Sequence, residues 1–187
     1  MRIIAGRMRG RPLVAPSGKA TRPTSERARE AVFNILEHAP FGRDLAGARV
    51  LDLFAGSGAL GFEALSRGAA FCLFVDTDEA ARGAIRSNID ALGLFGVTRL
   101  HRRSATDLGK RPAGLASPFD LVFLDPPYGQ GLGEAALARL VEGGWASPDA
   151  LIVFECSSDE DPQTPGWTRH DARDYGAARV LFLTADQ

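Results

Sequence analysis

Cysteine is scarce in this sequence. There are two, Cys72 and Cys156, with no Cys-x-x-Cys spacing. That count excludes a disulfide-stapled scaffold, and two thiols set in apolar runs read as buried and reduced, the pattern of a cytoplasmic protein. Histidine is as sparse. His38, His101 and His170 have no metal-ligand spacing, so no metal is expected. Long hydrophobic runs are missing too. No apolar stretch nears the length needed to cross a bilayer, and the basic N-terminus lacks the apolar core of a secretory signal. There is no internal repeat and no long low-complexity tract. Charge of one sign is not in excess either. Lys and Arg number 22 against 23 Asp and Glu, and the pI is about 6.3, so no basic field covers the whole molecule.

What is present suits a packed core. The chain has 187 residues, 45% hydrophobic and 24% charged, enough for one domain plus a short extension. Its cations are unevenly placed. The first 29 residues carry Arg2, Arg7, Arg9, Arg11, Lys19, Arg22, Arg27 and Arg29 against one acid, Glu26. Gly6, Gly10, Pro12, Pro16, Gly18 and Pro23 punctuate this stretch, which predicts an extended, turn-rich arm. Thr24 or Ser25 can cap a helix whose apolar face is Ala28, Ala31, Val32, Ile35 and Leu36, and Pro40 and Gly42 end it. Beyond it, strands are expected near 48–54, 70–75, 97–102, 119–124 and 150–155. Helices are expected near 58–67, 79–92 and 133–143, with a short one near 105–109. Alternation of this kind predicts a parallel sheet covered by helices on both faces. In the tail, 168–175 and 178–183 flank Gly176-Ala177 as a hairpin. The expected fold is therefore α/β and Rossmann-like: a seven-stranded, mostly parallel sheet closed by an antiparallel hairpin, the class I methyltransferase variant. The expected division is 1–44, arm and helix, and 45–187, sheet domain.

A Gly-rich turn follows the first strand in Asp52-Leu53-Phe54-Ala55-Gly56-Ser57-Gly58. Glycine is needed where the backbone turns left-handed or lies close to a ligand, and the amides opening the next helix favour polar or anionic groups. With Gly61 the spacing formally matches Gly-x-Gly-x-x-Gly, so a dinucleotide site competes with S-adenosylmethionine. Asp76, ending the second strand, suits a ribose diol in either case. Asp52 before the turn favours S-adenosylmethionine, whose ammonium group it can accept, directly or through water. A pyrophosphate would meet unfavourable charge there. Asp78 reads as the cap of the next helix.

A second motif, Asp125-Pro126-Pro127-Tyr128, follows the apolar run 119–124. It lies at the carboxyl end of a buried strand, where open α/β sheets bind ligands. The exocyclic amino group of a nucleobase is a poor nucleophile, because its lone pair is delocalised into the ring. The Asp125 carboxylate and the Pro126 carbonyl can accept both amino protons and aim that lone pair at an activated methyl. Pro127 stiffens the turn, and Tyr128 can stack on the base. The base must be unpaired or flipped out to enter.

These residues resemble class I methyltransferases that modify exocyclic amino groups. Arg2-Ile3-Ile4-Ala5-Gly6, Arg9-Gly10-Arg11, Arg22-Pro23-Thr24-Ser25-Glu26-Arg27-Ala28-Arg29-Glu30 and Phe33-Asn34 narrow the match. Over essentially its whole length the chain resembles the bacterial RsmD family. The resemblance implies guanine-N2 methylation of 16S rRNA, of the guanine-966 type, with S-adenosylmethionine as cofactor and the small ribosomal subunit as preferred substrate. It implies a cofactor site of Asp52, Phe54, Ala55, Gly56, Ser57, Gly58 and Asp76. Ser104 stands where the family often has Asp or Asn against the adenine amino group. Asp107 or the Ala105 amide is the alternative. Arg7, Arg9, Arg11, Lys19 and Arg22 are expected to neutralise RNA phosphates, and Arg22 and Thr24 to fold back over the cofactor pocket. A monomer is expected. A DNA adenine-N6 or cytosine-N4 methyltransferase, a glutamine-N5 protein methyltransferase, a non-catalytic RNA-assembly factor and a nicotinamide oxidoreductase remain alternatives.

Overall fold

A computed structural model describes residues 1–18 and 25–187. The elements along the chain are α1 (Glu26–His38), β1 (Arg49–Leu53), α2 (Ala59–Ser66), β2 (Phe71–Val75), α3 (Glu79–Leu92), β3 (Thr98–His101), β4 (Phe119–Leu124), α4 (Leu132–Glu142), β5 (Ala146–Ser157), β6 (Trp167–Tyr175) and β7 (Ala178–Ala185). Seven strands form one sheet in the order β3-β2-β1-β4-β5-β7-β6. The first five run parallel, and β7 pairs antiparallel with both β5 and β6. This is the class I methyltransferase architecture expected from the alternating pattern and the tail hairpin.

Strand residues alternate between two cores because successive side chains leave a strand on opposite faces. On one face Val50, Phe74, Phe123, Val153 and Phe182 meet α1, α2 and α3. Phe33 of α1 packs on Phe123 with ring centroids 5.6 Å apart, and Phe62 of α2 on Phe74 at 4.7 Å. On the other face Leu51, Val122, Leu124, Ile152 and Leu181 meet α4, Trp145 and the segment after β3. The outer strand β6 is largely exposed and bears Arg169, Asp171, Arg173 and Asp174. Charge of this kind discourages pairing with another chain.

Three expectations need correction. No helix forms at 105–109. The Ser104 hydroxyl accepts from the Thr106 amide, the Ser104 carbonyl accepts from Asp107, and Gly109 turns left-handed at φ 63°, so local side-chain bonds displace the helical ladder. The fifth strand also starts earlier than 150. It pairs from Ala146 across an irregularity opposite Phe119–Leu121, which accommodates Pro148. In α1 the capping residue is Ser25, whose Oγ accepts from the Ala28 amide. Its buried face is Arg29, Val32, Phe33 and Leu36, turned from the expected one so that a guanidinium leads it.

The arm is folded against the sheet domain. Ile3, Met8 and Leu13 lie in the same core as α1, α2 and α3. Backbone bonds from Ile3 to Arg11 and from Leu13 to Met1 close it into a small antiparallel loop. The fully buried Glu63 accepts from the amides of Ile4 and Ala5 and from Arg67 Nε. Ser66 Oγ takes the Met8 amide and donates to the Ala5 carbonyl. Asn88 holds both backbone groups of Val14. A carboxylate without water must be matched in this way or it is costly to bury.

Candidate active site

Strand order reverses between β1 and β4, and open α/β sheets leave a crevice at the carboxyl ends of such strands. Both sequence motifs fall there. The β1–α2 turn is built from left-handed residues: Phe54 at φ 54°, Gly56 at φ 60° and Gly58 at φ 80°. Phe54 carries a side chain in that region, a strain that proteins keep mainly at functional sites. A Cβ on Gly61 would lie 2.5 Å from the Phe74 ring and 2.7 Å from Cys72 Sγ, so this glycine serves the packing of α2 on β2. A Cβ on Gly56 would meet nothing within 4 Å. The loop is therefore open on that side.

Two carboxylates shape the turn. Asp76 accepts from the Gly56 amide at 2.9 Å through one oxygen and from the Asp78 amide at 2.8 Å through the other. Asp78 caps α3 by accepting from Ala81, as its position predicts. Asp52 is 2% exposed and accepts from the Gly61 amide at 3.1 Å. Burial pushes the Asp52 carboxyl well above the usual range, the Gly61 amide pulls it back, and the nearby Asp125 and Asp76 push it further up. Asp125 and Asp76 thus act on Asp52 at the carboxyl ends of the central strands. Such a site suits a cation, and it disfavours a pyrophosphate.

Asp125 follows β4 directly. The last pair of β4 and β5 is Leu124 with Phe154, and the residues after them, Asp125 and Glu155, line the same cavity. Neighbouring strands are ~4.8 Å apart. Glu155 is 6% exposed, and Tyr128 donates to its Oε1 at 2.8 Å. A cavity of about 250 Å³ opens beside this pair, walled by Arg29 and Val32 of α1, Val153 and Glu155 of β5, and Val180 of β7. Arg29 is 1% exposed. Its Nη2 donates to the Arg2 carbonyl at 2.6 Å, and its Nε has no hydrogen-bond partner among the described residues. Burial pulls its guanidinium below the usual value, while Glu63 and Glu26 hold it up.

A family model described as "Conserved hypothetical protein 95" matches residues 1–184. The chain belongs to that family. Ribosomal RNA small subunit methyltransferase D of Haemophilus influenzae is 39% identical over 170 residues, 90% of this chain and 85% of that protein. The Escherichia coli protein of the same name is 37% identical over 184 residues, 97% and 87% of the two chains. Among solved structures, yhhF from Escherichia coli superposes with a TM-score of 0.82 at 35% identity, covering 100% of this chain and 98% of that one. The resemblance carried by the N-terminal signature is thereby borne out.

The structure gathers Asp52, Phe54, Ala55, Gly56, Ser57, Gly58 and Asp76 around one turn, with Asp125, Pro126, Pro127 and Tyr128 one strand away. Ala105 is buried after β3, and the Ser104 hydroxyl is 2.9 Å from that of Thr106. Arg7, Arg9 and Arg11 are exposed on the arm, although Arg11 also donates to the Ala91 carbonyl. Lys19, Arg22 and Thr24 lie outside the described residues. Sequence reasoning missed four supports. Arg82 donates to the Thr77 carbonyl and braces the turn bearing Asp76. Asn88 donates to the Ser57 carbonyl and ties the Gly-rich turn to the arm. Glu155 and Arg29 wall the cavity. Only Glu155 stands as a lone charge in an apolar run, while Arg29, Arg82 and Asn88 sit among other polar residues that read as solvent-facing. Among the described residues no group of three or more His, Cys, Asp or Glu could hold a metal, and no helix is long and apolar enough to cross a membrane.

Proposed function

We propose that this chain transfers a methyl group from S-adenosylmethionine to the exocyclic N2 of a guanine in 16S rRNA of the small ribosomal subunit. In this reading it acts as a cytoplasmic monomer, with residues 1–44 contacting RNA and cofactor and residues 45–187 forming the methyltransferase domain. The observation that carries the reading is the Asp125-Pro126-Pro127-Tyr128 turn, set beside a Gly-rich turn and opening onto a cavity large enough for one flat base. Bound S-adenosylmethionine supplies a methyl already activated on a positively charged sulfur.

The chain's own residues fit that group. Asp52 would offer negative charge to its ammonium end, and Asp76, beside Gly56, would take the ribose diol. The segment Ser104-Ala105 lies at the carboxyl end of β3, next to β2, where an adenine would continue from the ribose. On the other side of the switch point, the Asp125 carboxylate and the Pro126 carbonyl accept the two protons of the guanine amino group. This turns the nitrogen lone pair towards the methyl. As the N–C bond forms, the C–S bond breaks and its electron pair stays on sulfur. Asp125 stabilises the cationic nitrogen until a proton leaves.

The test uses small subunits lacking the modification, labelled S-adenosylmethionine and mass-spectrometric identification of the nucleoside. Formation of N2-methylguanosine at one site is expected. Asp125→Ala should lower turnover by roughly 10²–10³-fold, the usual loss for a transition-state hydrogen-bonding group, with S-adenosylhomocysteine binding retained. Normal turnover in that variant would remove Asp125 from the mechanism. Transfer to DNA or protein, with none to rRNA, would overturn the substrate.

A further inference from the structure

The acceptor cavity contains more polar chemistry than methyl transfer needs. Holding an exocyclic amino group takes Asp125 and the Pro126 carbonyl. Glu155 is a second carboxylate, buried near the end of β5 and lining the same cavity as Asp125. Arg29 is a buried cation on the facing wall, with an Nε lacking a hydrogen-bond partner among the described residues. Tyr128 holds Glu155 by donating to one of its oxygens. A buried guanidinium Nε without a partner among the described residues is costly, and Arg29 lines one cavity with Asp125 and Glu155.

The bases differ in what lies beside the amino group. On guanine's pairing edge the atoms run N2–H₂ donor, N1–H donor, O6 acceptor. In adenine the amino group neighbours N1, and in cytosine N3, and both are acceptors. Two carboxylates and a guanidinium line the site. With Asp125 on the amino group, a carboxylate at the next position welcomes the N1–H of guanine and repels the lone pair of adenine or cytosine. We infer that Glu155, held by Tyr128, selects guanine by accepting its N1–H, with Arg29 donating to O6. This rests on the guanine-N2 reading above and adds to it the reason for choosing that base. Unlike Asp125, Glu155 has no part in bond making; it is a specificity-determining residue.

The experiment compares rRNA acceptors carrying guanine or 2,6-diaminopurine at the methylated position. Diaminopurine keeps the N2 amino group but replaces N1–H by a lone pair and O6 by an amino group. The wild-type protein should transfer to N2 of diaminopurine with a kcat/KM lower by on the order of 10- to 100-fold, the usual range for a well-placed base contact. In Glu155→Gln the amide can donate to N1. Guanine transfer should therefore fall, diaminopurine transfer should hold or rise, and the ratio between them should collapse towards one. A loss by one common factor for both bases is what a purely structural role would give, and it would overturn the inference. So would equal wild-type rates on the two acceptors, a measurement that does not depend on the variant folding. If the wild-type protein transfers nothing to guanine N2, the function reading falls and this inference with it. Guanine transfer without discrimination removes this inference alone.

Discussion

At the residue scale the site is arranged around charge that is expensive without a ligand. Asp52 is the clearest case. Burial first, then the fields of Asp125 and Asp76, raise its folded-state affinity for a proton, against a single opposing amide bond. The sign follows from linkage. A carboxyl whose folded pKa is raised binds its proton more tightly folded than unfolded. Its stabilising protonated form is lost as pH rises from the ordinary carboxylate range, near ~3.9, through the raised value, and above that the full penalty applies. Asp52→Asn keeps an oxygen for the Gly61 amide and deletes the charge. Without ligand at about pH 8 this variant should melt roughly 2–4 °C higher than the wild type, and the gap should close as pH falls towards the ordinary range. Its affinity for S-adenosylmethionine should drop. Thermal melts across pH, with and without cofactor, give both readings. A lower melting point at pH 8 would show that Asp52 stabilises the fold instead of straining it for the ligand.

At the element scale, what could be read from sequence followed from how each residue meets its neighbours. The carboxyl ends of β1 and β4 were legible because an apolar run stops at a carboxylate and a Gly- or Pro-rich turn, a local signal. Glu155 was not, because it stands inside the run Leu151–Cys156, and only strand pairing brings it to the cavity that Asp125 also lines. Arg29 was hidden the same way: a helical period reads an arginine as solvent-facing until the arm packs over it. The arm itself read as an extended leader, since its glycines and prolines say nothing of the buried carboxylate on α2 that receives it. Glu63 accepts two arm amides and Arg67 at once. Glu63→Ala would leave the half-buried Ile4 and Ala5 amides unmatched and Arg67 with Glu37 as its remaining carboxylate. The expected loss is about 3–5 kcal/mol, as when one partner of a buried pair is removed. Urea unfolding gives the magnitude, and tryptic cleavage at Arg7 and Arg9 reports the arm. A loss below about 1 kcal/mol with the arm still protected would mean that the apolar contacts of Ile3, Met8 and Leu13 suffice to dock it.

At the scale of the whole molecule, a chain of net charge −1 must approach a polyanion by presenting its cations locally. In the proposed reading the arm does this, and it is pinned to α2 and α3 through Glu63, Ser66 and Asn88. The exposed Arg7 and Arg9 then stand on a rigid loop, and holding them there costs no further ordering when RNA binds. Beyond residue 29 the acids outnumber Lys and Arg 22 to 14, from totals of 23 and 22 less the one and eight in the first 29 residues, so binding should be oriented as well as salt-dependent. Each arginine that neutralises a phosphate releases counterions, and for single strands the slope of log affinity against log salt changes by ~0.7 per contact. The double substitution of Arg7 and Arg9 by Ala should therefore flatten the slope by roughly 1.4 and weaken binding most at low salt. S-adenosylmethionine binding should stay unchanged, because neither arginine belongs to the Gly-rich turn. Filter binding of an rRNA fragment at several salt concentrations measures the slope directly. An unchanged slope would place the RNA on another face, and a parallel loss of cofactor binding would show that the arm supports the site through the Asn88–Ser57 bond rather than by meeting phosphate.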